Sequence, residues 1–269
     1  MNLPEILEFK RSDYNRIFTF GDIHGCLTEI KILIEKLEDD YNIADDDVLI
    51  FLGDYIDRGE DSKGVVDYLL KLPHNKIFLK GNHEDMFSAF MGLPGSGSEF
   101  FMCNGGEKTL KDYGLNDLDI HDLKRKFYSK DLLRDQIGDK HIEFYKNLYD
   151  IVLTDKYAFL HAGVDVQAPF DNQDVGDLLW NRSSVRHQYE VIDDEPDKVI
   201  IHGHTPNPEV FVDLPYEINV DTGCIFDGMF LSKTERGKMS CLIIENDDIM
   251  KVVQVTKGDH IFNEYIIED

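Results

Sequence analysis

A continuous apolar run that ends in charged residues constrains this chain more than any other feature. Residues 48–52 read Val-Leu-Ile-Phe-Leu, which is typical of a short strand buried on both faces of an α/β sheet. Gly53 ends the run, and Asp54, Asp57 and Arg58 follow it. Ligands of open α/β sheets collect at the carboxyl ends of strands. This turn is therefore a candidate functional site, with a polar turn of no function as the alternative.

The same arrangement occurs twice more in the first third of the chain. Apolar segments at 16–20 and 76–79 each precede a polar turn, and helical periodicity follows each of the three turns. This order predicts three parallel strands joined by right-handed helical crossovers. Residues 1–15 are expected to be an irregular lead-in, and the acidic run 38–47 a solvated loop.

The second half of the chain carries mainly strand patterns. Residues 150–154 and 157–160 are predicted to form a hairpin. Residues 93–147 read mainly helical and charged, and they are predicted to form a helical cap inserted at about these positions into a single domain, 1–269. Further strands are predicted at 198–201, 217–220, 229–231, 240–245 and 249–253.

The charge of the chain excludes several classes of function. Lys and Arg total 28 and Asp and Glu total 53, so the formal net charge is −25. Such a chain lacks the basic surface that nucleic-acid binding or attachment to anionic lipid requires. A phosphate-bearing substrate would need local positive charge, which bound metal ions could supply.

The cysteines and the apolar segments bear on the compartment. Cys26, Cys103, Cys224 and Cys241 are scattered without Cys-x-x-Cys spacing, so free thiols in a reducing compartment are expected. The N-terminal segment lacks the apolar region of a signal peptide, and no apolar run approaches the ~20 residues of a membrane span. We expect a cytoplasmic protein without membrane association, acting as a monomer.

Carboxylate, imidazole and amide side chains follow five of the predicted strands. Such donors suit a borderline divalent metal such as manganese, iron or zinc. Six of them exceed the ligands of one four-coordinate site, so two metal ions are expected, an arrangement that serves in-line attack on phosphorus with the metals about 3.5–4 Å apart. The six residues are Asp22, His24, Asp54, Asn82, His161 and His204.

Motifs around these residues carry a resemblance to a known family. Residues 21–25 read Gly-Asp-Ile-His-Gly, 53–59 read Gly-Asp-Tyr-Ile-Asp-Arg-Gly, and 81–84 read Gly-Asn-His-Glu. Together they resemble the three signatures of the PPP-type metallophosphoesterases, which include serine/threonine protein phosphatases, the bacteriophage lambda phosphatase and diadenosine tetraphosphatases. The small bacterial and phage branch fits best. Shorter motifs follow in the family's order at 161–163, 180–182 and 203–206.

The resemblance implies the calcineurin-like αβ-sandwich, an α/β fold of two mixed β-sheets flanked by helices, with the site at one sheet edge. It implies two divalent metal ions, Mn²⁺ in the first place, with Fe, Zn, Ni or Co as alternatives. Asp22 and His24 would bind the first ion, Asp54 would bridge both, and Asn82, His161 and His204 would hold the second.

The resemblance also implies catalytic roles. A hydroxide between the two metals would attack phosphorus. His83 would protonate the leaving alkoxide, and Asp57 would keep that imidazole oriented and protonated. Arg58 and Arg182 would bind phosphoryl oxygens, although Arg186 could compete with Arg182.

Three functions remain open on the sequence. The leading expectation is a phosphomonoester hydrolase, most simply a serine/threonine or dual-specificity protein phosphatase acting on phosphorylated protein or a small phosphoester. The alternative is a dinucleoside polyphosphate hydrolase of the same fold. Asp57 favours monoester chemistry, because symmetrical bacterial tetraphosphatases often lack this residue. A non-catalytic binding module would have lost a metal ligand or His83, and neither is lost.

Overall fold

Two six-stranded sheets pack face to face, with helices on their outer faces. The structure is a computed structural model that describes residues 3–124, 129–226, 236–245 and 249–267. Both sheets mix parallel and antiparallel pairs, so the expected fold class, an αβ-sandwich of two mixed sheets flanked by helices, is confirmed. No helix within these ranges is long and apolar enough to cross a membrane.

The first sheet contains the three predicted parallel strands. They are β2 (Ile17–Phe20), β3 (Val48–Phe51) and β4 (Lys76–Phe78), and each pairs in parallel with the next. Three antiparallel strands extend the sheet beyond β2, and the last of them was not predicted. The predicted strand at 229–231 lies outside the described residues. The antiparallel strands are β10 (Lys238–Ile244), β11 (Met250–Thr256) and β12 (Phe262–Ile267).

The second sheet includes a strand that the sequence did not predict. The lead-in, expected to be irregular, contains β1 (Ile6–Glu8), which pairs in parallel with β5 (Ile151–Leu153). A three-residue strand has no periodicity of its own, and its partner lies far away in the chain. The hairpin of β5 and β6 (Tyr157–Leu160) is confirmed. Beyond β6 follow β7 (Val199–His202), β9 (Glu217–Asn219) and β8 (Phe211–Asp213).

The helices that follow the parallel strands cover the outer face of the first sheet. They are α1 (Leu27–Tyr41), α2 (Ser62–Lys71) and α3 (Asn82–Met91). The acidic run 38–47 is not the solvated loop that was expected, because its first residues form the last turn of α1. At its other end, the buried Asp47 accepts hydrogen bonds from the backbone and guanidinium of Arg16.

Within the described residues, six further helices complete the two outer layers. In the segment 93–147, the first of four helices packs on α2 and the last two pack on α3, and all four contribute buried apolar side chains to the core of the first sheet. The description of this segment as a cap inserted into one domain stays a prediction. The helices are α4 (Gly106–Asp112), α5 (Asp117–Lys124), α6 (Lys130–Ile137), α7 (Asp139–Lys146), α8 (Val175–Trp180) and α9 (Val185–Ile192).

Strand β3 shows how the two layers of core are built. Val48 and Ile50 point into the apolar layer between the two sheets, and Leu49 and Phe51 point into the layer beneath the helices. All four side chains are fully buried. A strand buried on both faces cannot shift without exposing one set of these side chains, so the polar turn that follows it has a fixed position.

Replacing Ile50 with alanine tests the layer between the sheets. The change removes buried methyl groups and leaves a cavity, so we expect the free energy of unfolding to fall by about 2–5 kcal/mol. Ile266→Ala on β12 is the matched control, because that side chain is 59% exposed, and we expect a loss below about 1 kcal/mol. Urea unfolding measures both, and equal losses would contradict this assignment of the core.

Candidate metal centre

The carboxyl ends of strands from both sheets meet at one edge of the sandwich. Five polar side chains follow the ends of β2, β3, β4, β6 and β7 within four residues, and a sixth, His24, follows in the turn after β2. All six predicted ligands are at least nine-tenths buried, and the structure brings them together. The five strand-end residues are Asp22, Asp54, Asn82, His161 and His204.

Asp54 lies at the centre of this cluster. Its Oδ2 is 3.3 Å from Nε2 of His24, and its Oδ1 is 3.5 Å from Nε2 of His161. Candidate ligand atoms of Asp54, His161 and His204 all lie within 4.8 Å of one another, as do those of His24, Asp54 and His83. The two oxygens of one carboxylate therefore face two different groups of histidines.

The side of the cluster near His204 has a ring nitrogen without a partner. Oδ1 of Asn82 lies 3.0 Å from Nε2 of His161 and 3.1 Å from Nδ1 of His204. Oδ1 of Asp22 accepts a hydrogen bond from the backbone N–H of His204 at 3.0 Å. Nε2 of His204 is buried and has no hydrogen-bond partner within the described ranges. An orphaned nitrogen beside amide and carboxylate oxygens fits a divalent cation.

Burial also sets the protonation of these groups. It lowers the pKa of His24 and His161 below the usual value and that of His204 to about 3. The imidazoles are therefore neutral, which is the form that binds metal. Burial, together with the charges of Asp221 and Asp54, raises the pKa of Asp22. Carboxylates so close together favour a cation among them.

Asp221 is a site residue that was not among the predicted ones. It follows β9 after one intervening residue, and it lines the same cavity of about 330 Å³ as Asp22, Asp54 and His204. Burial raises the pKa of Asp221 to about 7. The signal that could have found it is the one that found Asp22: a carboxylate at the carboxyl end of a buried strand.

The turns that carry the site have unusual backbone conformations. Positive φ values are uncommon for residues other than glycine, and they cluster at functional sites. Here φ lies between 44° and 71° at five positions, where the surrounding sheets over-determine the turns. The positions are His24, Asp54, Asp57, Arg58 and His204.

Glu84 holds two of these turns together. Its carboxylate accepts hydrogen bonds from the backbone N–H groups of Asp54 at 2.8 Å, Tyr55 at 2.9 Å and Gly81 at 3.0 Å. Space is tight at this junction, because a Cβ atom at Gly81 would lie 2.2 Å from Oδ1 of Asp54. Glutamate and glycine in the Gly-Asn-His-Glu motif therefore place Asp54 and Asn82 beside each other.

His83 lies next to the cluster and is hydrogen-bonded on both ring nitrogens. Nδ1 is 2.6 Å from Oδ2 of the fully buried Asp57. Nε2 lies 2.8 Å from the guanidinium of Arg58, whose other terminal nitrogen lies 2.8 Å from Nε2 of His24. Arginine only donates hydrogen bonds, so Nε2 of His83 accepts and Nδ1 carries the proton.

Residues that could compete for the same roles lie in different places around the cavity. Arg182 lines the cavity, whereas Arg186 forms an ion pair with Asp213 on β8. Likewise His204 joins the cluster, whereas His202 pairs with Glu217 at 3.2 Å. Trp180 also lines the cavity, and its ring and that of His204 are nearly perpendicular, with a centroid distance of 5.9 Å.

This fold and this set of donors define a metallophosphoesterase. The family model for calcineurin-like phosphoesterases matches residues 15–227, and the chain belongs to that family. The expected resemblance is therefore confirmed at the level of the family, and metal-dependent hydrolysis of phosphoesters is its activity.

Individual relatives differ in the activity that their names give. The chain is 30% identical over 228 residues to the asymmetrical bis(5'-nucleosyl)-tetraphosphatase PrpE of Anoxybacillus flavithermus, covering 77% of this chain and 85% of that protein. A solved structure provisionally described as a diadenosine tetraphosphatase is 15% identical, with a TM-score of 0.59 and 99% of both chains covered. A serine/threonine protein phosphatase from Saccharomyces cerevisiae is 14% identical, with a TM-score of 0.56 and coverage of 99% of this chain and 85% of that one. These two structures show the fold alone.

Replacing Glu84 with glutamine tests the support of the site. An amide N–H₂ would face backbone N–H donors, so we expect the Asp54 turn to shift and affinity for Mn²⁺ to fall about 10–100-fold. Glu35→Gln, on the exposed face of α1, is the matched control and should leave the affinity unchanged. Isothermal titration calorimetry measures both, and unaltered affinity in the Glu84 variant would refute this role.

Proposed function

We propose that the protein is a dinucleoside polyphosphate hydrolase that cleaves its substrate asymmetrically. The observation that supports phosphoester cleavage is the position of Asp54, whose two carboxylate oxygens face two groups of buried histidines. The choice of substrate is supported by the tetraphosphatase name of the relative that is 30% identical over most of both chains. The expectation from sequence was the reverse, because it placed a phosphoprotein substrate first and a dinucleoside polyphosphate second.

The buried donors would hold two divalent ions. Asp22 and His24 would bind the first ion, and Asn82, His161 and His204 would bind the second. Asp54 would bind both ions. The neutral state of the buried imidazoles and the orphaned Nε2 of His204 support this assignment. Bound ions of this kind, Mn²⁺ in the first place, acidify water and neutralise phosphate charge.

Groups beside the donors would handle the substrate. Arg58 would exchange its contacts with His24 and His83 for phosphoryl oxygens, and Arg182, which also lines the cavity, would bind the substrate as well. With Nδ1 of His83 bonded to Asp57 and Arg58 moved to the substrate, Nε2 would take up a proton from solvent and then donate it to the leaving oxygen.

A phosphomonoester hydrolase acting on phosphoproteins is the second candidate. The observation that favours it is the 2.6 Å contact between Asp57 and His83. A positioned acid matters most when the leaving group is a strongly basic alkoxide, as in phosphoserine. A nucleotide that leaves through a phosphate oxygen is a weaker base and depends less on an acid.

A substrate panel separates the two candidates. With Mn²⁺, we expect kcat/KM for diadenosine tetraphosphate to exceed that for phosphoserine and phosphotyrosine peptides by at least about 10-fold, or about 1.4 kcal/mol of transition-state stabilisation. The products should be ATP and AMP, and a chelator should abolish turnover. Chromatography identifies the products. A preference for either phosphopeptide, or two molecules of ADP as product, would contradict the proposal.

His83→Asn tests the assignment of the acid. Asparagine cannot transfer the proton, so we expect kcat for phenyl phosphate to fall by about 100-fold or more, while the metal content stays unchanged. His74→Asn is the control, because this half-buried histidine bonds Glu38 outside the cavity. Loss of metal in step with loss of activity would show that His83 is a ligand instead.

A further inference from the structure

A buried hydroxyl on α4 contacts the carboxylate that orients His83. Thr109 is fully buried, and its Oγ1 donates a hydrogen bond to Oδ1 of Asp57 at 2.5 Å. The same oxygen accepts the backbone N–H of Asp57 at 3.0 Å. Thr109 therefore contacts both the carboxylate and the backbone N–H of Asp57.

This contact completes the restraint on the Asp57 carboxylate. Oδ2 accepts from Nδ1 of His83, and Oδ1 accepts from Thr109, so a rotation of the carboxylate about its bond to Cβ would break both hydrogen bonds. Oγ1 of Thr109 is itself held by two contacts with Asp57, one to the carboxylate and one to the backbone N–H. The hydroxyl therefore restrains the orientation of the Asp57 carboxylate, and the carboxylate in turn restrains the orientation of the His83 ring.

Neighbouring contacts hold α4 in place. Oγ of Ser62, at the start of α2, also accepts the backbone N–H of Asp57 at 3.0 Å and lies 3.1 Å from Oγ1 of Thr109. The backbone N–H of Ser62 in turn donates to Asp112 at 2.8 Å, near the end of α4. The two helices are therefore fixed against each other at the point where Thr109 reaches Asp57.

We propose that Thr109 is a positioning residue for proton transfer, acting through Asp57 on the ring of His83. The role rests on the proposed function of His83 as the acid. Thr109 is outside the set of residues gathered around Asp54, so its loss leaves metal binding intact. It instead lets the imidazole leave the orientation from which Nε2 reaches the leaving oxygen.

The basicity of the leaving group distinguishes this role from simple support of the fold. Phenolate is a stronger base than p-nitrophenolate, so phenyl phosphate depends on the acid far more than p-nitrophenyl phosphate does. A variant that damages the fold or the metal centre slows both substrates alike. A variant that misplaces the acid slows mainly phenyl phosphate.

Thr109→Val, which removes the hydroxyl at nearly constant shape, is the test. We expect kcat for phenyl phosphate to fall about 10-fold, within the 10²–10⁴-fold that acid catalysis typically contributes, and kcat for p-nitrophenyl phosphate to fall less than about 2-fold. Metal content should stay constant. Thr109→Ser keeps the hydroxyl and should restore most of the loss. If the valine variant does not fold, Thr109→Ala removes the same group without adding a methyl.

Thr19→Val is the matched control. Thr19 is equally buried, on β2, and its hydroxyl has no hydrogen-bond partner in the described part of the chain. The substitution should leave the ratio of the two kcat values unchanged. Equal loss with both substrates in Thr109→Val, or no rescue by serine, would overturn the proposal.

Asp57→Asn separates failure of this proposal from failure of the proposed acid. If Asp57→Asn slows phenyl phosphate selectively and Thr109→Val does not, Thr109 has no positioning role while the His83 mechanism stands. If neither variant changes the ratio, the acid itself is wrongly assigned, and the positioning role falls with it.

Discussion

The burial of Asp54 between two groups of histidines is the constraint on which the site depends. An ionised carboxylate removed from water is destabilised by several kcal/mol unless it is paired. The imidazoles around it are neutral, because burial lowers the pKa of His24, His161 and His204. They cannot balance the negative charge of Asp54 and of its neighbours. The cluster is therefore built for a cation, and binding of that cation stabilises the folded chain.

Two separate networks support this centre. Glu84 gathers the backbone N–H groups of the turns that carry Asp54 and Asn82, and so supports the groups that would bind metal. Thr109 contacts Asp57, and so supports the group that would move a proton. The networks arise from different helices, α3 and α4. Metal affinity and proton transfer can therefore be perturbed one at a time, which is how their contributions become measurable.

The sequence predicted the elements whose signals are local. Strand β3 is apolar at every position, and the turn after it carries a recognisable motif, so both its burial and the role of Asp54 as a candidate could be predicted. Strand β1 is three residues long and exists because β5 lies beside it, a contact that no local pattern records. Which of Arg182 and Arg186 lines the cavity likewise depended on a distant residue, because Asp213 on β8 binds Arg186.

The site residues that were missed lay in turns or segments interpreted in other ways. Asp221 ends a strand in the same manner as Asp22, but it follows a weaker strand pattern late in the chain. Thr109 lies in the segment 93–147, which was interpreted as a cap beside the sheet. A helix that looks peripheral in sequence can still place one side chain against a buried carboxylate. The hydrophobic periodicity of a helix does not show where in the fold the helix packs.

The choice between ester and anhydride cannot be made by the metal centre or by the acid alone. A nucleotide leaving group is a weak base, so a site specialised for anhydrides would need little from Asp57, His83 or Thr109. This chain retains all three, and they contact one another without a gap. With His83 as the proposed acid, such a site would expel leaving groups over a wide range of basicity. Selectivity must therefore come from the walls of the cavity, where Trp180 and Arg182 meet whatever extends from the reacting phosphate.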